Sequence, residues 1–559
     1  MCGEFAVTDT LTVERTKSVA ELMLEGRDRH VEGRLDEAAE CYRRVVELVP
    51  GHSEAWRRLG VVAFTRGDRA LARDRLEHAV HSDPLDAAAH RVLGTLYEVE
   101  GQLQPAYAAY AKSCSIDPTQ EAASIALART ALALGRPIET IAVAQATIAR
   151  GTCDAGLLRL LGAALALCGD YRRAADALEA SLRLEPDPEA FAHLAACHLQ
   201  CGNVSAAAAA GQRALELDPA HALATLHVGI AHLAAGNFSA ALTAFERAVA
   251  LGCDRARMNL GRLYLLLGDY RQGWPHFGSD DPVRSAQPVH AALPMWSGAA
   301  VPDRRLLVWH EQGIGDSIQM ARFLRAARDR VGSLTLACPR ETADLFRTVD
   351  GVDAVVDMHE PVHFGAFDTW LPTGRLPVVF DVTPQTIPSE PYVRADPVRV
   401  ERYRSRLAVP GLRVGLVWSG NPKLSRDGAR SCGLRQLERL GNVSGITWFA
   451  LQQGPARADE PTNGMRLIPI NAAVTDYADT AAIIDGLDLV ITVDTSVANL
   501  AGALGRPAWV LLPKTPDWRW GLAGTTTPWY PSLRLFRART NEWAPLVAEM
   551  AAELRRLIR

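Results

Sequence analysis

Several features that mark other classes of protein are missing from this 559-residue sequence. No apolar run is long enough for a membrane-spanning helix, and the first residues lack the apolar core of a signal peptide. The ten cysteines include no CxxC pair, which argues against a zinc site or a disulfide framework. A net charge of −4 provides no attraction to nucleic acid or to a membrane surface. These absences predict a cytoplasmic protein without a metal, a nucleic-acid partner or a membrane span.

Glycine, by contrast, recurs at an almost constant interval through the first half of the chain. Successive members of the series are 32 to 34 residues apart. The series consists of Gly33, Gly67, Gly101, Gly135, Gly169, Gly202, Gly236 and Gly268. A left-handed turn between two helices suits glycine and strains other residues. The interval therefore predicts a repeated helix–turn–helix unit that buries its apolar face on its neighbours.

Small and large apolar residues alternate regularly between these glycines. The third unit, for example, contains Gly94, Tyr97, Gly101 and Tyr110 before Pro118. This pattern resembles the tetratricopeptide repeat family, with seven units and a degenerate eighth. We expect a tail at residues 1–17 and an α-solenoid of repeats at 18–274. The resemblance implies a surface that binds a protein or peptide.

The pattern changes after residue 274. Residues 275–303 are rich in Pro, Gly and Ser without a period, which predicts a linker. Beyond it, nine short apolar runs alternate with helical stretches, as in α/β proteins with parallel sheets. Two such series predict two Rossmann-like halves, at 304–409 and 410–559, that face a cleft. Ligands of such folds bind at the carboxyl ends of the strands.

The first of four loops at these strand ends is HEQGIGDSIQ, at residues 310–319. Its residues of interest are Gln312, Gly313, Gly315 and Asp316. The glycines permit a sharp turn into a helix, and Asp316 falls in its first turn. A carboxylate there either caps free amides or serves as a general base facing the cleft. The spacing leaves both interpretations open.

The second loop, VWSGNPKLSRDGARS, contains Ser419, Asn421, Lys423 and Arg426 just past a strand end. Lysine is rare in this chain, which has only four. Basic groups at such a place can neutralise a phosphate, although they also suit a solvated loop. Gln452, which follows the next strand, is assigned to the same cleft.

The third loop, VDTSVANLAGALGRP, places Asp494, Thr495 and Ser496 where a strand ends and a helix begins, with Asn499 one turn later. Free amides at a helix N-terminus suit an anion, and they also occur in any capped helix. The fourth loop, at residues 513–531, is rich in Trp, Tyr and Pro. Its Trp518 either lines a ligand or packs between the two halves.

Together these loops resemble the glycosyltransferase family 9 domain, which includes the bacterial heptosyltransferases. The segments that carry the resemblance are EQGIGDSIQ, GLVWSGNP and DTSVANLAGALGRPAWVLLP, followed by DWRW and PWYP. They cover about residues 304–540. The resemblance implies a GT-B fold, a nucleotide-diphosphate sugar donor, and inverting transfer without a metal or other cofactor. The absence of a DxD motif from this half agrees with a metal-free reaction.

The resemblance also implies roles for individual residues. Asp316 matches the family's catalytic aspartate, and Lys423 is similar to the basic residue that meets the donor diphosphate. Asp494, Thr495 and Ser496 match the donor-binding turn. The family usually has histidine where this chain has Asn499, and asparagine, unlike histidine, is always neutral.

The acceptor depends on the repeats. The register places five arginines on the inward face of the array, where they suit an acidic or extended polypeptide or else lie on a solvated face. They are Arg27, Arg57, Arg91, Arg129 and Arg159. The leading hypothesis is a glycosyltransferase that acts on a protein, for example flagellin or another surface protein. The alternatives are an enzyme for a glycan or lipid-linked acceptor, and a non-catalytic adaptor with a degenerate transferase domain.

Overall fold

A computed structural model describes residues 17–277, 292–422, 427–462, 464–540 and 542–559. Up to residue 277 it contains sixteen helices in eight helix–turn–helix pairs. Their bounds are α1 (Val19–Val31), α2 (Leu35–Leu48), α3 (Ser53–Thr65), α4 (Arg69–Ser82), α5 (Ala87–Val99), α6 (Leu103–Ile116), α7 (Glu121–Ala133), α8 (Pro137–Ala149), α9 (Ala155–Leu167), α10 (Tyr171–Leu184), α11 (Pro188–Gln200), α12 (Val204–Leu217), α13 (Ala222–Ala235), α14 (Phe238–Ala250), α15 (Asp254–Leu266) and α16 (Tyr270–His276). The predicted repeat array is therefore confirmed as a series of paired helices.

The periodic glycines end the first helix of each pair. All eight have a positive φ, between 71° and 87°. The residue after each glycine donates its amide to the carbonyl five residues earlier, as Arg34 does to Arg29 at 2.9 Å. This bond closes the helix end and needs a left-handed residue before it. The spacing of glycine thus follows from one repeated turn.

A second set of glycines lets the two helices of a pair approach closely. An added Cβ at Gly94 would lie 2.8 Å from the ring of Tyr110, and one at Gly229 would lie 2.6 Å from Phe245. In both cases the large partner stands sixteen residues after the glycine. In the fourth repeat both corresponding residues are alanine, Ala128 and Ala144. The first is larger than the glycine of the other two repeats, and the second is smaller than their tyrosine or phenylalanine.

The chain divides into two compact units at Pro219 and Ala220. The first unit contains α1–α12. The second contains α13–α16 together with the α/β region that follows. The boundaries predicted from sequence, 274 and 304, stay predictions, and the compact units divide earlier than either.

The α/β region contains two parallel sheets, which confirms the predicted strand arrangement. Its strands are β1 (Val301–Trp309), β2 (Val331–Cys338), β3 (Ala354–Asp357), β4 (Thr369–Pro372), β5 (Leu412–Val417), β6 (Ile446–Ala450), β7 (Leu467–Ile468), β8 (Leu489–Val493), β9 (Ala508–Leu512) and β10 (Leu533–Arg537). The four-stranded sheet has the order β3-β2-β1-β4, and the six-stranded sheet has β10-β9-β8-β5-β6-β7. Numbered from its own first strand, the larger sheet follows the doubly wound order 3-2-1-4-5-6.

Strand β4 was not predicted from the sequence, because its four residues form too short an apolar run to stand out. The strand pairs in parallel with residues 306–309 of β1 and is fully buried. The helices of this region are α17 (Ile314–Met320), α18 (Leu324–Arg328), α19 (Arg340–Phe346), α20 (Leu376–Val379), α21 (Pro397–Leu407), α22 (Asp427–Arg430), α23 (Leu434–Leu437), α24 (Tyr477–Asp485), α25 (Ser496–Ala503) and α26 (Ala544–Ile558). Apolar side chains cover both faces of the larger sheet.

Candidate functional site

Three of the four predicted loops lie where the strand order of a sheet changes direction. β1 lies beside β4, and β5 lies beside β8. Parallel sheets of this type bind ligands outside the carboxyl ends of the strands at such switch points. The loop after β1 carries Asp316, the loop after β5 carries Ser419, and the loop after β8 carries Asp494. The candidate residues therefore occupy the two places where a ligand is expected.

Helices α17 and α25, which follow two of these loops, pack directly against each other. The contact is close at Gly315, where an added Cβ would lie 2.9 Å from Asn499 Nδ2 and 3.3 Å from Ser496 Cα. The sequence analysis assigned this glycine to a sharp turn. Its position in the structure gives a different reason, because a side chain here would push the two helices apart.

Asp316 lies in the first turn of α17 with both carboxylate oxygens engaged. The amide of Gly313 donates to Oδ2 at 3.1 Å, and Arg519 forms an ion pair with Oδ1. The capping interpretation is therefore realised. The side chain is still 26% exposed, so its remaining lone pairs can accept a proton or a hydrogen bond. Its role as a general base stays a prediction.

Arg519 is the residue of the site that sequence reasoning missed. Its side chain is only 9% exposed, yet it donates to Gln319 Oε1 at 2.8 Å and pairs with Asp316 and with Asp517 at 3.2 Å. Burial by itself lowers the pKa of the guanidinium, but Asp517 and Asp316 outweigh it and hold that pKa above its usual value. The DWRW motif contains this residue, but no local signal relates it to a carboxylate 203 positions earlier.

Asp494 ends β8 as a buried carboxyl group, 5% exposed. Burial raises its pKa to about 6 from an ordinary 3.8, although the charge of Arg519 works in the opposite direction. A carboxyl group with such a pKa changes charge in weakly acidic solution. Arg519 therefore has a negative neighbour at Asp316 and a titrating one at Asp494.

The polar side chains at the start of α25 are satisfied within the protein. Thr495 caps the helix by accepting the amide two residues on, at 3.3 Å. The hydroxyl of Ser496 lies 2.8 Å from that of Tyr477. Asn499 donates to the carbonyl of Thr495 at 3.2 Å and accepts from the hydroxyl of Tyr530 at 3.0 Å. Asn499 therefore connects α25 to the fourth loop, a role in which both halves of its amide are used.

The side chain of Gln452 stabilises the loop after β5 through hydrogen bonds. It is 2% exposed, accepts the amide of Ser419 at 2.9 Å and donates to the carbonyl of the same residue at 3.0 Å. Its amide thus replaces backbone partners that the loop lacks, and its assignment to the cleft stays a prediction. Asn421 is exposed. Lys423 and Arg426 lie outside the described residues.

Two further cleft predictions have different outcomes. Gln312 is exposed and has a φ of 63°, a left-handed conformation that costs energy for a non-glycine residue. Trp518 is instead buried, at 3% exposed, with ring centroids of Trp274, Phe277 and Trp529 between 5.4 and 5.5 Å away. The packing interpretation of Trp518 is therefore realised, since a large apolar ring gains more by packing among other rings, and its assignment to the cleft stays a prediction.

Three of the arginines predicted to line the repeat groove are paired with carboxylates. The pairs are Arg57 with Asp86 at 3.3 Å, Arg129 with Glu98 at 2.8 Å, and Arg159 with Asp187 at 2.9 Å. Each pair joins two successive repeats of the first unit. Arg27 donates to its own helix at the carbonyl of Met23, and Arg91 is half-buried. The groove stays a prediction, but part of its positive charge is already neutralised.

A buried histidine near the site also escaped the sequence analysis. His310 ends the strand run before α17, and its Nδ1 lies 2.6 Å from the hydroxyl of Ser317. Burial lowers the pKa of this imidazole to about 4, so it is neutral near pH 7. The pair anchors the loop that carries Asp316 and is buried, with His310 7% and Ser317 2% exposed.

Models of the tetratricopeptide repeat family match residues 32–96, 169–222 and 229–271. The chain therefore carries tetratricopeptide repeats, as predicted. Protein FlbA of Caulobacter vibrioides (strain ATCC 19089 / CIP 103742 / CB 15) is 27% identical over 460 residues, which cover 76% of this chain and 70% of that protein. Because residues 1–277 are about half of the chain, this similarity extends beyond the repeats. Tetratricopeptide repeat protein 37 of Xenopus laevis is 29% identical over 86 residues, 15% of this chain and 6% of that protein.

Solved structures match about a third of the chain. YrrB, described as a TPR protein with an unusual peptide-binding site, has a TM-score of 0.29 at 21% identity and covers 32% of this chain and 91% of its own. PilF of Pseudomonas aeruginosa has a TM-score of 0.31 at 16% identity and covers 36% and 92%. Across the residues that the structure describes, no helix is long and apolar enough to cross a membrane, and no cluster of three His, Cys, Asp or Glu residues is arranged to hold a metal ion.

Proposed function

We propose that this protein is a glycosyltransferase that transfers a sugar from a nucleotide-diphosphate donor to a hydroxyl group of a protein held by its repeats. In this proposal the α/β region is a GT-B fold of the glycosyltransferase family 9 type. The repeats indicate protein interaction, and the acceptor is a protein or peptide, for example flagellin or another surface protein.

The observation that carries the proposal is a contact between two helices, each of which follows a strand at the switch point of its own sheet. The parallel sheets belong to one compact unit, and α17 from the smaller sheet packs on α25 from the larger one. This brings Asp316, the residue matched to the family's catalytic aspartate, close to the helix start that is matched to its donor-binding turn. A site for group transfer needs such a base and such an anion-binding turn side by side.

Each residue then has a chemical role. Asp316 accepts the proton of the acceptor hydroxyl as that oxygen attacks the anomeric carbon and the bond to the diphosphate breaks. The departing diphosphate gains negative charge, which the amides at the start of α25 and the guanidinium of Arg519 stabilise. The same guanidinium orients the carboxylate of Asp316 in the resting site through their ion pair.

Release of nucleoside diphosphate from a panel of nucleotide sugars tests the proposal. We expect the wild-type protein to hydrolyse one donor slowly, and Asp316→Asn to lose turnover by about 100-fold or more while it binds the free nucleoside diphosphate nearly as well. Asp329→Asn, at an exposed ion pair with Arg325, is the control and should retain wild-type turnover. Equal rates for Asp316→Asn and the wild type would remove Asp316 from the mechanism.

A second candidate, a non-catalytic adaptor, is favoured by Asn499, which stands where the resembled family usually has histidine. Gly315 lies over the start of α25, and both ends of the Asn499 amide are already bonded. In that case the protein binds a nucleoside diphosphate, or nothing, without releasing product from any donor. Calorimetric titration beside the hydrolysis assay separates the two functions.

A further inference from the structure

The last helical hairpin, α15 and α16, is built into the α/β region. Both belong to the second compact unit. Tyr270, Trp274 and Phe277 are 5%, 2% and 1% exposed, and they share one apolar core with the smaller sheet. A repeat that served only as an attachment would not bury three aromatic side chains in the partner fold.

These aromatic residues hold the fourth loop, residues 513–531. The indole of Trp529 donates to the hydroxyl of Tyr270 at 2.8 Å. The ring of Trp518 lies 5.5 Å from Trp274 and 5.4 Å from Phe277, edge to face. The loop is therefore fixed by a hydrogen bond at one end and by ring packing at the other.

The same loop carries Arg519 to the candidate site. Its guanidinium lies 5.3 Å from the ring centroid of Trp518, its neighbour in the chain. From there it reaches Asp316 and Gln319, both on α17. A second arginine supports the other end of the loop: Arg322 donates to the carbonyl of Trp529 at 2.6 Å. An unbroken series of buried contacts thus runs from α16 to the carboxylate of Asp316.

We propose that the last hairpin of the repeat array is a positioning element of the site, which sets the Arg519–Asp316 pair through the fourth loop. The inference rests on the proposed function only for its catalytic consequence. Tyr270 is buried, at 5% exposed, and accepts a hydrogen bond from the Trp529 indole, so it acts through Trp529 and Arg519. The repeats consequently do more than bind a partner, because their last unit completes the fold that orients the base.

The test uses the full-length protein with Tyr270→Phe, which keeps the ring and removes the acceptor of the Trp529 indole. Tyr264→Phe is the matched control, since that tyrosine lies on the same hairpin and its hydroxyl donates to Glu246 of α14 at 2.6 Å. A misplaced catalytic pair lowers kcat more than it weakens substrate binding. We expect Tyr270→Phe to lower kcat for donor hydrolysis by about tenfold with KM within about twofold, and Tyr264→Phe to change neither. Equal kinetics for the two variants overturn the proposal.

A double-mutant cycle decides the inference independently of turnover. Tyr270→Phe is combined with Arg519→Lys, and urea unfolding is followed for the wild type, both single variants and the double variant. Non-additive midpoints, with additive midpoints for the same cycle built on Tyr264→Phe, support the positioning role. Additive midpoints for both cycles overturn it. If the cycle shows coupling while no donor is hydrolysed, the proposed enzyme function fails and the link between hairpin and Arg519 stands.

Discussion

The buried carboxyl group of Asp494 makes a prediction that can be worked out from its surroundings. The residue ends β8 at 5% exposure, and burial raises its pKa to about 6 from 3.8. The folded protein therefore holds the proton more tightly than the unfolded chain does. This stabilisation is complete below the ordinary pKa and is lost as the pH rises through the raised one. The wild-type protein should thus lose stability between about pH 4 and about pH 7 for this reason alone.

The size of the effect follows from the difference between the two pKa values. At 1.36 kcal/mol for each pH unit, the full loss is about 3 kcal/mol, and about 2 kcal/mol of it falls between about pH 4.5 and about pH 7.5. Asp494→Asn cannot titrate, so its stability relative to the wild type should rise by that amount over the same range.

Denaturant unfolding of the two proteins across this pH range measures the slope. The control is Asp488→Asn, at the residue immediately before β8. Its carboxylate binds Arg413 at 2.6 and 3.0 Å, which holds its pKa below the usual value. That pair stabilises the fold above the ordinary pKa of 3.8, and the stabilisation is lost only as the pH falls through the lowered value, so Asp488→Asn should have almost no slope between about pH 4.5 and about pH 7.5. Equal slopes for the two variants, or no slope for Asp494→Asn, would refute the reasoning.

Two glycine substitutions, one of them with a control variant, and a change of salt concentration test the packing, the site and the repeat groove. Gly315→Ala should separate α17 from α25 because its Cβ would lie 2.9 Å from Asn499 Nδ2, and nucleoside diphosphate affinity measured by calorimetry should change by about tenfold or more; unchanged affinity and thermal stability would contradict the close contact. Gly94→Ala should destabilise the first unit by about 1–2 kcal/mol, since overpacking against Tyr110 exceeds the gain in helix propensity. Gly156→Ala, which meets only one carboxylate oxygen at 3.2 Å, should be neutral or stabilising in the same urea series. If arginine side chains of the repeats attract an acidic peptide by their charge, high salt should weaken its binding. Fluorescence anisotropy of a labelled acidic peptide measures this change in affinity.

The sequence predicted the architecture well wherever a short-range rule applies. The turn glycines, such as Gly101, can be predicted from the sequence because each repeat requires one residue in the left-handed conformation. The parallel strands follow from short apolar runs between helical stretches, and only β4, four residues long, was missed. The loops at the switch points were also located in advance, since the strand ends that carry Asp316, Ser419 and Asp494 can be read from the chain.

The environment of each candidate side chain could not be predicted in this way. The sequence leaves Asp316 as either a helix cap or a general base, and it does not predict the ion pair with Arg519. Gln452 and Trp518 belong to polar and aromatic residue types that line clefts, yet both are buried, because their partners come from distant parts of the chain. Three of the arginines predicted to line the repeat groove form ion pairs with carboxylates of a neighbouring repeat. These pairs depend on how successive repeats stack.

The sequence by itself determined the repeat, the parallel sheets and the positions of the loops, because each depends on backbone geometry and on apolar spacing within a few dozen residues. Only the tertiary structure decided which charges meet and which aromatic residues are buried. Two contacts join residues more than 200 positions apart in the chain: the ion pair of Arg519 with Asp316 and the hydrogen bond of Trp529 to Tyr270. Such contacts depend on how the two sheets and the last hairpin pack in three dimensions, and no local pattern encodes that packing.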